Sequence, residues 1–442
     1  MSRQLCARLL LLSLLSGTPL FSAVIGTSKA AESITPARVA LLSKKDRAAW
    51  TAYLERSHRQ MKVDKATLAA ERTAGSPEPT LPKEGFSART MPLNRDVTWY
   101  GTEEARHVAD VIVSFQTPAG GWSKNLDMSG SPRAHGQSYT TDNLSKHPGP
   151  DDFDAPKDPH WNYVGTLDND ATNTELHFLV LVSRETPGAA GVAYRTSILR
   201  GIRYLLAAQF PNGGWPQVWP LEGGYHDAIT YNDNAVTESA QTLTAVSEGT
   251  ADYAFVPAAL RQKAKAAAAH ALVCILATQV MMKGQRTVWA QQHDALTLAP
   301  VAGRNYEPAA LSSGESADVL IYLMQLPHPS PAVVEAINSG VTWLKGAEIM
   351  GQEWVGGRGT TGGRHLEAKI DAGPIWARYY NISTGLPVFG DRDKTIHDDV
   401  SELSLERRNG YAWYSAGPQQ ALDSYAVWSK DHAGSGTRAP RI

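Results

Sequence analysis

Residues 116–122 read QTPAGGW, and 93 positions later residues 209–215 read QFPNGGW. Both copies follow an apolar pattern with the spacing of a helix. The proline disfavours continuation of a helix, and the glycines can adopt the left-handed conformation that ends one. We interpret the repeat as the same turn at the ends of two helices, with the tryptophan closing the end of the helix bundle. The competing interpretation is two unrelated glycine-rich turns.

The helical spacing continues through most of the chain. Apolar residues stand at positions 108, 111, 112 and 115 before the first turn, and at 198, 202, 205 and 206 before the second. Further segments with this spacing cover residues 234–246, 257–282, 316–325, 331–345 and 403–408. Alternating patterns typical of strands are scarce. The sequence therefore predicts a mainly α class, with helix pairs arranged around an axis.

The first 95 residues have a different pattern. Arg3 and Arg8 precede an apolar run and then small residues near position 30, which is typical of a signal peptide that is cleaved on export. Gly17 and Pro19 interrupt the run well before the ~20 apolar residues that a membrane span needs. We expect a secreted or periplasmic protein. Its predicted parts are a signal peptide (1–30), an N-terminal helix (31–60) with a proline-rich linker within 31–95, and one large domain (96–435).

The composition excludes several classes of protein. The 42 Lys and Arg residues nearly balance the 44 Asp and Glu residues, and 42% of the chain is hydrophobic. Such a chain is not disordered, and it lacks the basic excess of a nucleic-acid-binding protein. Once residues 1–30 are removed, Cys274 is the remaining cysteine, so no intramolecular disulfide is possible. We expect a monomer that makes no membrane contact in its mature form.

Two polar segments combine Asp and Asn just before a predicted helix. Residues 162–175 read NYVGTLDNDATNTE, and residues 225–235 read YHDAITYNDNA. Carboxylate and amide oxygens together suit a hard cation such as calcium. The alternative is structural, because Asp and Asn are also the preferred residues at helix N-termini.

Arginines alternate with aromatic residues in the C-terminal half. Arg304 is followed by Tyr306, Arg378 lies within WARYY (376–380), and Arg392 lies between two aspartates. Guanidinium groups bind carboxylates with two parallel hydrogen bonds, and aromatic rings stack on sugar rings, so this pattern suits an acidic sugar. The alternative is a set of buried ion pairs, with Arg304 held by Glu307 or a nearby Asp.

Several of these segments together resemble the pectate lyases of polysaccharide lyase family 10. The similar blocks run in order from about residue 95 to 430 and are SFQTPAGGWSKN (114–125), TLDNDAT (166–172), GYHDAITYNDNA (224–235), RNYE (304–307), WARYY (376–380) and ERRNGYAWY (406–414). The resemblance implies a partial (α/α) toroid or barrel with a short N-terminal helical and irregular region. It also implies a calcium-dependent enzyme acting on polygalacturonate.

Site residues follow from the same resemblance. It implies that Arg304 is the catalytic base, and that Arg378 and Arg392 hold substrate carboxylates. It places Asp168, Asn169 and Asp233 at the calcium site, with Asp168 also near the substrate. The chain departs from the family at Glu348, because family members often place a lysine shortly before the isoleucine found here at position 349. We expect that difference to affect substrate affinity or subsite preference.

The implied chemistry is β-elimination. A base removes the proton at C5 of a galacturonate unit, and the C4 glycosidic oxygen departs to leave a 4,5-unsaturated product. Arginine is an unusual base because its guanidinium normally stays protonated, so we expect an alkaline optimum. Two alternatives remain: a glycoside hydrolase acting on uronides, with Asp168 or Asp233 as general acid and no calcium, and a pectin-binding protein without catalysis.

Overall fold

The computed structural model describes residues 24–432 except 76, 149–150, 250 and 358. Most of the predicted signal peptide, residues 1–23, lies outside this described part. The helices are α1 (Pro36–Ala40), α2 (Lys44–Glu71), α3 (Glu103–Phe115), α4 (Asn173–Arg184), α5 (Val192–Ala208), α6 (Ala235–Glu248), α7 (Ala258–Thr278), α8 (Ser313–Met324), α9 (Pro331–Gly346), α10 (Leu405–Gly410) and α11 (Gln419–His432).

Short strands connect and flank the helices. They are β1 (Val24–Thr27), β2 (Ile229–Thr230), β3 (Met281–Met282), β4 (Gln285–Arg286), β5 (Gln292–His293), β6 (Leu311–Ser312), β7 (Gln352–Val355), β8 (His365–Ala368), β9 (Trp376–Ala377), β10 (Tyr379–Tyr380), β11 (Pro387–Gly390), β12 (Thr395–His397) and β13 (Tyr414–Ser415). The largest sheet has the order β1-β12-β11-β10-β6, and its neighbouring strands are antiparallel.

The predicted (α/α) toroid is wrong. Helices account for 46% and strands for 11% of the described residues, and these helices form no closed barrel. Helices pack mainly as neighbours, α4 with α5, α6 with α7, and α8 with α9 and α11. Long segments without α-helix separate these groups, such as residues 116–148 and 151–172 between α3 and α4. The apolar spacing locates helices, but it gives no signal for strands of two to four residues or for the path of the chain between helices.

The repeated turn has the predicted function of closing helix ends. Trp122 and Trp215 are fully buried. The Trp122 indole N–H donates to a carbonyl of α3, that of Ile112, at 2.7 Å. The Trp215 indole does the same to the carbonyl of Leu205 in α5, at 2.8 Å. Each indole thus bonds a carbonyl in the last turn of a helix and ties the turn that follows to the helix end.

A third copy of the turn is hidden in the sequence. The Gln209 side chain donates to the carbonyls of Gly213 and Ala267. Gln279, at the end of α7, likewise donates across its own turn to the Thr287 carbonyl, and to a carbonyl of α9, both at 2.9 Å. Trp289 then closes α7, because its indole donates to the Ile275 carbonyl at 2.7 Å. The β3–β4 hairpin lengthens this turn and hides the repeat from a search for QxPxGGW.

The N-terminal region is held against the rest of the chain by polar contacts. The predicted single helix is instead two, α1 and α2, and α2 continues eleven residues past its expected end at residue 60. Before α1, the Ile34 amide donates to Asp227 Oδ2 at 2.9 Å, and the Gly224 amide donates to Ser33 Oγ at 2.7 Å. Further upstream, β1 forms the edge of the largest sheet. Within the described residues, no helix is both long and apolar enough to cross a membrane.

Candidate active site

Two matching turns bring the predicted metal ligands together. Asp168–Asp170 and Asn232–Asn234 each form a single 3₁₀ turn that leads toward a helix, α4 and α6 respectively. Asn169 and Asp233 have positive φ angles of 54° and 48°, a conformation that Asn and Asp tolerate better than other side chains. The Asn169 amide donates to Asp233 Oδ2 at 2.9 Å. The structure therefore places Asp168, Asn169 and Asp233 side by side.

Asn232 links the two acids. Its side-chain amide donates to Asp168 Oδ1 at 3.0 Å and to Asp233 Oδ2 at 2.8 Å. Burial and the charge of Asp168 raise the pKa of Asp233. Burial alone would also raise the pKa of Asp168, but the ammonium of Lys124 outweighs it and holds that pKa below its usual value. The two carboxylates therefore form an electrostatically coupled pair.

Lys124 is a site residue that was not singled out in the sequence. Its Nζ lies 2.5 Å from Asp168 Oδ2 and 3.4 Å from the centre of the Tyr163 ring. The Lys124 side chain is 12% exposed. Lys124 lies two residues after the first QTPAGGW turn. Its position within the similar block 114–125 is the feature of the sequence that could have indicated it.

Arg89 is the second residue that the sequence did not indicate. It lies in a short 3₁₀ turn, Ala88–Thr90, within the region interpreted as a linker. Its guanidinium is hydrogen bonded to Asp233 Oδ1, and its Nε lies 3.6 Å from Asp170 Oδ2. No local motif marks such a residue, because its partners are 81 and 144 positions away.

Arg304 lies in a cleft of about 330 Å³ that Lys124, Arg392 and Arg407 also line. Its guanidinium donates to Glu307 Oε1 at 2.7 Å, and its amide donates to Glu307 Oε2 at 2.8 Å. Burial acts to lower the pKa of Arg304, but the charge of Glu307 outweighs it and raises that pKa well above its usual value. The side chain is still 35% exposed.

The other two predicted arginines have the same arrangement. Arg378 donates to Glu315 Oε1 at 2.5 Å, and Arg392 donates to Glu406 Oε2 at 2.6 Å. Their side chains are 22% and 30% exposed. Arg378 lines a second cavity, and Gly410 lines both this cavity and the main cleft. Each arginine therefore forms an ion pair with an acid, as the structural alternative expects. Part of each arginine side chain nevertheless remains accessible to a ligand.

A chain of buried hydrogen bonds connects the acid pair to Arg304. The side-chain amide of Gln291 donates to Asn232 Oδ1 at 2.7 Å, and its oxygen contacts the Tyr379 hydroxyl. The Tyr379 and Tyr411 hydroxyls lie 2.8 Å apart. Tyr411 in turn donates to Glu307 Oε1 at 2.7 Å. Buried hydrogen bonds thus link the acid pair to Glu307, the partner of Arg304.

Comparison with known proteins adds to this geometry. The sequence model of the pectic acid lyase family matches residues 116–422, more than half of the chain. The chain belongs to the pectic acid lyase family. It is a polysaccharide lyase. The match begins at the first QTPAGGW turn, so the region that contains Arg89 lies outside it. A search of curated proteins gave no significant match.

Solved structures of similar lyases agree with this assignment. The family 10 polysaccharide lyase from Cellvibrio cellulosa is 27% identical, with a TM-score of 0.62 over 76% of this chain and 96% of its own. A mutant of that lyase in complex with trigalaturonic acid is also 27% identical, with a TM-score of 0.62 over 77% of this chain and 97% of its own.

Proposed function

We propose that this lyase is an exported pectate lyase, which cleaves polygalacturonate by calcium-assisted β-elimination with Arg304 as the base. The observation that carries the proposal is the cleft itself. The positively charged side chains of Lys124, Arg304, Arg392 and Arg407 line one cavity beside the Asp168–Asp233 pair, and acids such as Asp154 and Glu406 line it with them. The complex of the similar lyase with trigalaturonic acid supports an oligogalacturonide as the ligand.

The accessible guanidinium groups account for substrate binding. Arg378 and Arg392 each keep an exposed part of the side chain beyond their glutamate partner, which leaves N–H groups for a galacturonate carboxylate. Arg392 lines the main cleft, Arg378 lines the second cavity, and Gly410 lines both. A chain of galacturonate units that spans both cavities would bring successive carboxylates to the two arginines.

The residues present fit a calcium ion, but they form an incomplete site. Asp168, Asp233 and Asp170 supply oxygen donors of the kind calcium prefers, and the buried Asn234 Oδ1 has no hydrogen-bond partner. Within the described residues, no group of three or more His, Cys, Asp or Glu side chains is arranged to hold a metal. Bound calcium would neutralise a substrate carboxylate and so favour loss of the C5 proton. We therefore expect weak calcium binding until substrate carboxylates complete the site.

The role of Arg304 sets the pH requirement. A base must be unprotonated, and the ion pair with Glu307 keeps Arg304 protonated in the free enzyme. Lys124, Arg392 and Arg407 add positive charge to the same cleft and oppose that effect, whereas Asp154 and Glu406 act with Glu307 to keep Arg304 protonated. We propose that Arg304 accepts the C5 proton only in the substrate-bound cleft and at alkaline pH.

Product chemistry distinguishes this proposal from its alternatives. Polygalacturonate is incubated with the enzyme and calcium, and the products are separated and weighed by mass spectrometry while ultraviolet absorbance is recorded. A lyase gives an absorbing product whose mass is one water below that of the hydrolytic product. Saturated products would contradict the proposal in favour of a hydrolase, and binding without any product would contradict it in favour of a pectin-binding protein.

A further inference from the structure

Arg89 contacts the Asp168–Asp233 pair, although it lies before the residues that match the family model. Its guanidinium is hydrogen bonded to Asp233 and lies close to Asp170, so it stands where a bound cation would share the same oxygens. We propose that Arg89 is an internal cation that calcium must displace from Asp233, and that Arg89 thereby sets the calcium concentration the enzyme requires. This inference rests on the proposed function of the acid pair as the calcium site.

The backbone around Arg89 is fixed. Ala88 is 7% exposed, and the Ser87 amide donates to Thr90 Oγ1 at 3.0 Å. The segment just before it, residues 83–86, pairs with residues 125–128, directly after Lys124. Three backbone hydrogen bonds hold the two segments together: Gly85 N–H to Asn125 O at 3.3 Å, Asp127 N–H to Lys83 O at 3.0 Å, and Met128 N–H to Phe86 O at 2.7 Å. Arg89 is therefore carried to the acid pair by ordered structure.

The side chain, by contrast, is free to leave. It is 51% exposed, and ion pairs in contact with water contribute little to stability. Lys124 is the cation that pairs with the other acid, Asp168. The Lys124 side chain is 12% exposed and the Asp168 side chain is 8% exposed. Of these two cations, Arg89 is the one that can open at low cost. Because its backbone is fixed and its charged end is exposed, the Arg89 guanidinium stays close to Asp233 and competes there with calcium at a constant local concentration.

Coulomb's law gives the size of the effect. A guanidinium displaced to about 8 Å from a divalent ion still repels it in water, and this repulsion together with the broken ion pair corresponds to about a tenfold change in affinity. Removing the guanidinium also frees the Asp233 oxygen that it occupies. We therefore expect Arg89→Ala to bind calcium about tenfold more tightly than the unaltered enzyme.

Calcium alone is the probe, in the absence of substrate. The full chain and its variants are titrated with calcium chloride, and affinity is taken from the concentration dependence of the melting temperature, since a ligand that binds the folded state raises it. Arg89→Lys keeps a cation at this position and should resemble the unaltered enzyme. Arg95→Ala is the matched control, because Arg95 stacks on Trp99 in the same region, 5.7 Å from the ring centre. It should leave calcium affinity unchanged.

Asp233→Ala separates failure of this inference from failure of the proposed function. If Asp233→Ala abolishes calcium binding while Arg89→Ala leaves the affinity equal or weaker, the role of Arg89 is wrong and the metal site stands. If Asp233→Ala binds calcium normally, the metal site itself is wrong, and the role of Arg89 falls with it. A higher KM for polygalacturonate in Arg89→Ala, with unchanged calcium affinity, would make Arg89 a substrate ligand and overturn the inference.

Discussion

Arg304 carries the strictest requirement of any residue in the cleft, because a base must lose the proton that Glu307 helps it to keep. Arg304→Lys preserves the positive charge and changes reach, geometry and basicity. We expect kcat to fall at least ~10²-fold, the lower end of what general base catalysis contributes. Steady-state kinetics on polygalacturonate across alkaline pH measures this.

The melting temperature of the same preparation is the control. If Arg304 serves only as the partner of the buried Glu307, Arg304→Lys lowers the melting temperature and leaves kcat per folded molecule nearly unchanged. A well-folded variant with near-normal kcat at every alkaline pH would therefore show that another group is the base.

The two Asp/Asn segments stand out in the sequence because each carries its own local pattern. Within them, Asp168, Asn169 and Asp233 were named by the family resemblance, and in the structure each segment is a short turn before a helix. The structural alternative named Glu307 as a partner of Arg304, but the partners of Arg378 and Arg392, Glu315 and Glu406, and the position of Arg89 were not predicted. Those contacts join residues that are mostly far apart in the chain, and only the folded path brings them together.

At the scale of elements, the QTPAGGW-type turn depends on glycine for a steric reason. Gly213 has a φ of 97°, and a Cβ atom there would lie 2.1 Å from the carbonyl oxygen of His270 in α7. An alanine pays roughly 1–2 kcal/mol for the left-handed conformation. We expect Gly213→Ala to lower the free energy of unfolding by a further ~1–3 kcal/mol, the cost of forcing atoms into a packed site.

Gly284 provides the matched control. It has a φ of 82° in the β3–β4 hairpin, and a Cβ atom there would have no neighbour within 4 Å. Gly284→Ala should therefore show the conformational cost alone. Urea unfolding of both variants measures the difference, and equal losses of stability would mean that the contact with α7 does not fix this turn.

The same turn shows what the sequence could predict about elements. Two copies were visible and their function as helix ends was correctly inferred from proline and glycine. The third, from Gln279 to Trp289, was missed because an inserted hairpin breaks its spacing. The start of α2 was also missed, since Ser43 forms a helix N-terminus within a segment that reads as one amphipathic helix.

At the scale of the whole molecule, the toroid prediction failed because helix content does not determine how helices are arranged. Neighbouring helices do pair, but long connections with short strands replace a closed ring.

The position at which the mature protein begins also affects the whole molecule. A cleavage after residue 30 would keep the contacts of Ser33 and Ile34 but remove β1 from the sheet edge.

We expect a protein that starts at Val24 to be more stable than one that starts at Ala31. The longer form keeps the β1–β12 hydrogen bonds and the bond from the Ser28 amide to the Lys394 carbonyl at 2.8 Å. The difference should be about 1–2 kcal/mol, since few of these bonds are deeply buried. Thermal unfolding of the two purified forms measures it. Identical melting temperatures would show that β1 contributes nothing to the fold.

The central claim, calcium-assisted elimination at the Asp168–Asp233 pair, is tested most directly by one titration. The initial rate of unsaturated product formation from polygalacturonate is recorded in excess chelator and then at increasing free calcium, for the unaltered enzyme and for Asp233→Ala of equal helical circular dichroism. We predict no rate in chelator, full recovery with calcium for the unaltered enzyme, and a raised calcium requirement or no turnover for Asp233→Ala. Full activity in excess chelator would contradict the account.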